Sequence, residues 1–200
     1  MLAVACLVIW SDRPATPQAD AATGATTSAA PTVAGTPVSA GEPAATEPAA
    51  AEPTAALPVR LLIPDLDLDT RLITLGVRPD KTVEVPKDPD RAGWFRRGPP
   101  PGSLGSSVIL GHVDSVDGPA VFARLSSLTP GARVDVTLDD DSVVTFEVRS
   151  VRTYANEAFP ARRVYGSHGR SELNLVTCGG VYDASRGGYQ SNVVVNARLV

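Results

Sequence analysis

Arg133-Val134-Asp135-Val136-Thr137-Leu138-Asp139-Asp140-Asp141-Ser142-Val143-Val144-Thr145-Phe146-Glu147-Val148 reads as two strands folded back on an acidic turn. Polar and apolar residues alternate on both sides of Asp139-Asp140-Asp141-Ser142, and an Asp-rich tip between alternating flanks is a hairpin signal. The tip carboxylates also suit a hard cation such as calcium, but a turn accounts for them without one. Outward from this hairpin, β-prone runs bounded by Pro- and Gly-rich turns predict further strands near 59–63, 71–75, 82–86, 107–112, 173–178 and 192–199, with the second hairpin strand reaching 154. One short helix is expected over 120–128, where Val121, Leu125 and Leu128 recur at helical spacing before Pro130-Gly131. Many short strands with little helix imply an all-β sandwich or barrel. No internal repeat is visible.

The composition changes abruptly near Leu57, which divides the 200 residues into three parts. Residues 11–58 hold eight prolines and sixteen alanines and no aromatic residue, too little apolar surface to offset chain entropy, so a disordered linker with polyproline II character is expected there. Met1-Leu2-Ala3-Val4-Ala5-Cys6-Leu7-Val8-Ile9-Trp10 is wholly apolar. A spanning helix needs about 20 such residues, so 1–10 is expected to be part of a longer membrane anchor or signal segment. A lipoprotein signal ending at Cys6 is the weaker alternative, with only five apolar residues before that cysteine. Residues 59–200 then form one domain of ordinary size, able to bury a core without metals or disulfides.

Charge argues against a nucleic-acid partner. The chain carries 18 basic and 22 acidic residues. The linker takes five of the acidic ones (Asp12, Asp20, Glu42, Glu47, Glu52) and Arg13, which leaves seventeen of each sign for the domain. No basic face is demanded and no nucleic-acid motif appears.

The chemistry concentrates in three places. Leu173-Asn174-Leu175-Val176-Thr177-Cys178-Gly179-Gly180 is an apolar run that delivers the domain's one cysteine to two glycines, which would let a substrate backbone approach. A buried, inert cysteine is the bland alternative. Ser107-Val108-Ile109-Leu110-Gly111-His112-Val113-Asp114 is a second apolar strand ending in an ionisable side chain, and His112 is either a core histidine or the partner of a thiolate. An imidazolium beside a thiol favours the nucleophilic thiolate and can protonate a leaving amine. Arg186, in Asp183-Ala184-Ser185-Arg186-Gly187-Gly188-Tyr189, is a candidate to stabilise an oxyanion or clamp a substrate through its guanidinium, or is simply solvated. No disulfide can form within the domain, so Cys178 is expected as a free, reactive thiol. Whether Asp114, two residues beyond His112, orients the imidazole is left open by strand alternation, and Trp94-Phe95 reads as a core anchor.

Together these pieces resemble the sortases, most closely the class F sortases of high-GC Gram-positive bacteria. The resemblance runs in order through Leu62-Ile63-Pro64, Leu75-Gly76, Val83-Glu84-Val85-Pro86, Gly93-Trp94-Phe95, Pro101-Gly102, Gly111-His112-Val113-Asp114, the segment 118–125, Thr177-Cys178-Gly179-Gly180 and Asn192-Val193-Val194-Val195. It implies an eight-stranded β-barrel with one or two short helices. It further implies a cysteine transpeptidase in which Cys178 is the nucleophile, His112 its partner and Arg186 the candidate arginine, with no cofactor or metal. The implied substrates are LPXTG-like sorting signals of secreted proteins and an amine acceptor of peptidoglycan or pilin. A monomer at the extracellular face of the plasma membrane, held there by the N-terminal segment, is expected.

One departure stands out: sortases carry their arginine about a dozen residues after the cysteine, where this chain has Gln190 and Ser191, so the role falls to Arg186, to another arginine or to the Gln190 amide. Two further readings remain. Gly166-Ser167-His168-Gly169-Arg170 resembles the Ser-His-Gly-Cys signature of L,D-transpeptidases, but Arg170 occupies the nucleophile's position and His168 then reads as a solvated loop residue. The other is a noncatalytic secreted β-domain that binds wall or protein ligands.

Overall fold

The structure is a computed structural model, and it describes residues 55–200. The expected anchor and nearly all of the expected linker lie outside the described residues. The first strand, β1 (Pro58–Ile63), begins where the linker reading ended. Among the described residues no helix is long and apolar enough to cross a membrane.

The strands that follow are β2 (Leu68–Leu75), β3 (Ala92–Phe95), β4 (Gly105–Gly111), the two-residue pair β5 (Asp114–Ser115) and β6 (Gly118–Pro119), β7 (Arg133–Leu138), β8 (Val143–Ala155), β9 (Ser171–Asp183) and β10 (Gly188–Leu199). Eight of them close into a barrel in the order β1-β2-β3-β4-β9-β10-β8-β7, which leaves no sheet edge. The 133–148 hairpin is present as read, with Val134 opposite Phe146 and Val136 opposite Val144. Its acidic tip is a turn: Ser142 donates through its backbone N and Oγ to Asp140 Oδ1 at 3.0 and 2.6 Å, and the Leu57 N–H donates to Asp139 Oδ1 at 2.9 Å.

Alternation along the strands sends side chains into two cores. Ile109, Leu173, Leu175, Val195, Ala197, Phe146 and Val148 belong to one cluster with Leu61, Ile63 and Phe122. The intervening Val108, Leu110, Val176 and Val194 join Leu75, Val83, Phe95 and Val164 in the other. Every residue of β4 is consequently buried, as expected of a strand covered on both faces. The second cluster is roofed by the helix α1 (Ala161–Tyr165), which Asn174 fastens by donating through Nδ2 to the Val164 carbonyl at 2.8 Å.

Two expected elements are not formed. Over 120–128 the chain makes successive i to i+3 bonds, Ala123 N to Ala120 O, Leu125 N to Phe122 O and Leu128 N to Leu125 O, with a 3₁₀ turn at Leu125–Ser127 in place of a helix. Nine residues are too few to make an α-helix self-sustaining, and Ser127 Oγ competes by donating to the Arg124 carbonyl at 2.7 Å. The strand expected at 82–86 is reduced to isolated bridge positions at Thr82 and Val83, the latter paired with Val77. Thr82 is tied back to Asp80 Oδ1 through its N–H and hydroxyl, and Pro86 and Pro89 have no N–H to continue a ladder. Conversely, Gly93-Trp94-Phe95 is part of a barrel strand, paired in parallel with β2 and antiparallel with β4.

Candidate active site

Strands β4 and β9 run side by side in parallel with a constant offset of 66 residues, from Gly105 opposite Ser171 to Leu110 opposite Val176. The last pair lies two residues before His112 on one strand and two before Cys178 on the other, so both residues follow the same end of the β4–β9 ladder. Neighbouring strands lie about 4.8 Å apart, so two side chains remote in sequence reach the same end of adjacent strands. Alternation places Cys178 on the face of Val176, outside the main core, and Cys178 is buried to 7% exposure. The two apolar runs read from the sequence are neighbouring parallel strands. Only the endpoint differs, because β9 continues five residues beyond Cys178 to Asp183.

The histidine is held from two directions. Its Nε2 donates to the Pro86 carbonyl at 2.7 Å, and its own carbonyl accepts from the Phe122 N–H at 2.8 Å. With Nε2 carrying the proton, a neutral ring has Nδ1 as its basic nitrogen. Gly111 is required here: a Cβ would stand 2.7 Å from both Val121 Cγ1 and Phe122 Cδ2. The segment that presents Pro86 also lines a cavity of about 520 Å³ through Glu84, Val85, Lys87 and Asp88, opposite Ile73 and Leu75.

The two glycines after Cys178 serve β10 rather than open space for a ligand. A Cβ at Gly179 would lie 2.8 Å from Val193 Cγ2. Gly180 has φ +76° and sits in a bulge, since pairing jumps from Gly179 opposite Ser191 to Tyr182 opposite Tyr189. Gly180 and Val181 therefore oppose the single residue Gln190, a local geometry that favours glycine at the left-handed position.

Cys178 is disulfide-bonded in this structure, which corrects the expectation of a free thiol. A sulfur in a disulfide is no nucleophile, so any chemistry at Cys178 belongs to the reduced protein.

Arg186 closes the 3₁₀ turn Ala184–Arg186 at the tip of the β9–β10 hairpin. Its Nη2 lies 3.4 Å from Glu157 Oε1, and its side chain is 60% exposed. Along β9 the tip is about 16 Å from Cys178 at roughly 3.3 Å per residue. Gln190 is nearer by register, one residue before Ser191, and its Nε2 donates to the Gly188 carbonyl at 2.5 Å. His168 is exposed, with Nε2 donating to the Arg163 carbonyl at 3.1 Å, as a solvated loop histidine would be.

The Asp114 carboxylate is engaged by Tyr189, while the His112 ring is bonded to Pro86. Asp114 accepts a hydrogen bond from the Tyr189 hydroxyl at 2.5 Å. That bond, before burial and the carboxylate charge, pushes the Tyr189 phenol up to about 12. Asn192, opposite Cys178, donates to Asn156 Oδ1 at 2.9 Å, and Asn156 Nδ2 donates to the Tyr189 carbonyl at 2.8 Å. The sequence reading missed Tyr189, Asn156 and Asn192, because a tyrosine after two glycines and an asparagine in an apolar strand carry no local signal. Among the described residues no group of three or more potential metal ligands occurs.

The sequence pattern of the family described as "Sortase domain" matches residues 61–200. Among curated proteins no match was found. Solved structures with the same fold include sortase A from Corynebacterium diphtheriae, 15% identical with a TM-score of 0.55, covering 74% of this chain and 63% of that one. Sortase C of Streptococcus pneumoniae is 17% identical with a TM-score of 0.53, over 70% of this chain and 64% of the other. Sortase C1 of GBS pilus island 1 is 14% identical with a TM-score of 0.53, over 71% and 64%. The chain thus spans less than two thirds of the length of each of these three structures.

Proposed function

We propose, from the premise that the chain belongs to the sortase family, that its reduced form is a cysteine transpeptidase acting on LPXTG-like sorting signals. The observation that supports the reading is the β4–β9 register, whose last pair, Leu110 opposite Val176, lies two residues before His112 and two before Cys178. In the first half-reaction the Cys178 thiolate attacks the backbone carbonyl carbon at the signal's Thr. The C–N bond breaks, imidazolium His112 gives its proton to the leaving amine, and a thioester remains. In the second, an amine attacks the thioester, its proton passes to His112, the new amide leaves and the thiolate is restored. A peptidoglycan cross-bridge or a pilin lysine is the acceptor class.

Within the family we place the chain with class F, on Gly111-His112-Val113-Asp114 and Thr177-Cys178-Gly179-Gly180. For the oxyanion we assign position 190 in preference to Arg186. Gln190 lies one bulge from the residue paired with Gly179, whereas Arg186 is at the hairpin tip with Glu157. An enzyme of this chemistry works outside the cytoplasm, and we take the apolar residues 1–10 as its attachment to the outer face of the plasma membrane and the domain as a monomer.

The test is mass spectrometry of the full chain under reductant, incubated with a panel of LPXTG-like peptides and amines. A Cys178 thioester and transfer to the amine are expected. The reading is overturned by transfer that persists in Cys178→Ala, or by a reduced, alkylatable Cys178 that no peptide acylates; the latter favours the noncatalytic binding domain.

A further inference from the structure

Tyr189 adds a side-chain tie between the loop that follows β4 and the β9–β10 hairpin, beyond the β4–β9 ladder. Its hydroxyl reaches Asp114, 75 residues away and two residues after His112, on the loop that carries the histidine. Its backbone carbonyl accepts from Asn156, which in turn accepts from Asn192, the residue paired with Cys178. The phenol ring is braced edge-on by Tyr182 of the same hairpin, with centroids 5.3 Å apart and planes at 75°. Two sets of hydrogen bonds, joined through the covalent frame of Tyr189, therefore lead from the strand position opposite the cysteine to the loop of the histidine.

The loop needs such a tie. Beyond Gly111 the chain leaves the barrel, and β5 and β6 pair only with each other. Further bonds to this loop involve Pro86, Phe122 and Ala120. These three partners lie outside the β9–β10 hairpin.

We propose that Tyr189 is a positioning residue, its hydroxyl holding Asp114 so that the His112 loop keeps its place beside the β9–β10 hairpin. This rests on the transpeptidase reading for its kinetic consequence, but not for its structural one. A residue acting in this way alters kcat through the placement of His112 and leaves peptide binding nearly unchanged.

The experiment uses the reduced full chain and compares wild type with Tyr189→Phe, Asp114→Ala and the double variant. One arm measures Cys178 acylation by an LPXTG-like peptide. Each single variant is expected to lose about fivefold in kcat, the worth of one hydrogen bond, with KM within about twofold. The double variant should be no worse than either single one, since both remove the same link. The other arm records the side-chain ¹H–¹⁵N resonances of the two histidines, where His112 should move in all three variants and His168 should not. Losses that multiply in the double variant, or a His112 resonance that stays in place, overturn the proposal. If wild type is not acylated at all, the transpeptidase reading has failed, and the resonances alone decide whether the tie positions His112.

Discussion

Replacing Gly111 by alanine adds one methyl group at the point where the histidine leaves its strand. Built on this backbone, the new Cβ stands 2.7 Å from Val121 Cγ1 and 2.7 Å from Phe122 Cδ2. Carbon atoms rest at about 3.5–4.0 Å, so something must give by roughly 1 Å. Phe122 is fully buried and sits in the main core among Ile109, Leu125 and Trp94, so it has little freedom to yield. Overpacking of this kind costs about 1–3 kcal/mol. For a domain of this size about 2 kcal/mol lowers Tm by roughly 4–8 °C.

The same displacement has a second consequence, because the Phe122 N–H is bonded to the His112 carbonyl. Pushing Phe122 away draws on His112, and a misplacement near 1 Å at a catalytic group costs up to about 10²-fold in rate. Gly111→Ala is therefore expected to lower both Tm and the kcat of Cys178 acylation. Gly131→Ala is the comparison: Gly131 has φ +97° and nothing within 4 Å of where a Cβ would stand, so alanine there costs backbone strain and makes no clash. It should lower Tm and leave kcat alone. A Gly111→Ala protein with wild-type Tm and kcat would refute the packing argument, and equal kcat losses in both variants would refute the link to His112.

Three further outcomes are expected. His112→Ala should reduce acylation by at least about 10²-fold and abolish a bell-shaped pH–rate profile, whereas His168→Ala should leave both intact; equal effects would separate His112 from the chemistry. Arg186→Ala should stay within about threefold of wild type in kcat, Gln190→Ala should fall by about 10²-fold for loss of an oxyanion donor, and Gln190→Arg should exceed wild type; collapse of Arg186→Ala alone would return the role to the hairpin tip. The Tyr189 phenol is raised above its ordinary 10 to about 12, so the folded protein holds a proton there that the unfolded chain releases. Its contribution to stability is complete below pH 10 and lost as pH rises from 10 towards 12, and the difference in phenolate absorbance between wild type and Tyr189→Phe should show a midpoint near 12; a midpoint near 10 would mean that the Asp114 bond is absent in solution.

Much of the barrel was legible because its strands carry their own signals. Arg133 to Val148 alternates cleanly, and β1, β2, β4, β9 and β10 each contain an apolar, β-branched run. What was not legible depends on partners remote in sequence. Ala92–Phe95 is too short to declare itself, and is a strand only because Leu72–Leu75 and Ile109–Gly111 flank it. Residues 82–86 have strand-like composition, but a turn fixed by Asp80 and two prolines withhold the bonds. In the site, Cys178 and His112 stood out as lone ionisable residues at the ends of apolar runs. Tyr189 did not, since its role exists only when a loop 75 residues away comes within hydrogen-bond reach.

The arginine position shows why counting along the chain is a poor guide at this end of the barrel. From Cys178, Arg186 is eight residues on and Gln190 twelve, so sequence distance favours Arg186. The hairpin reverses the order. Residues 179–183 run away from the cysteine, the turn at Ala184–Arg186 is the farthest point, and residues 188–191 return until Asn192 stands opposite Cys178. The bulge at Gly180 and Val181 adds a residue to the outgoing strand, which brings Gln190 back to the level of the glycine that follows Gly179. A side chain at 190 thus projects from a strand fixed on both sides, by β9 and by β8 through the Ser191–Ala155 pair, while one at 186 projects from an exposed turn. A group that must meet a developing charge without reorganising belongs on the fixed strand.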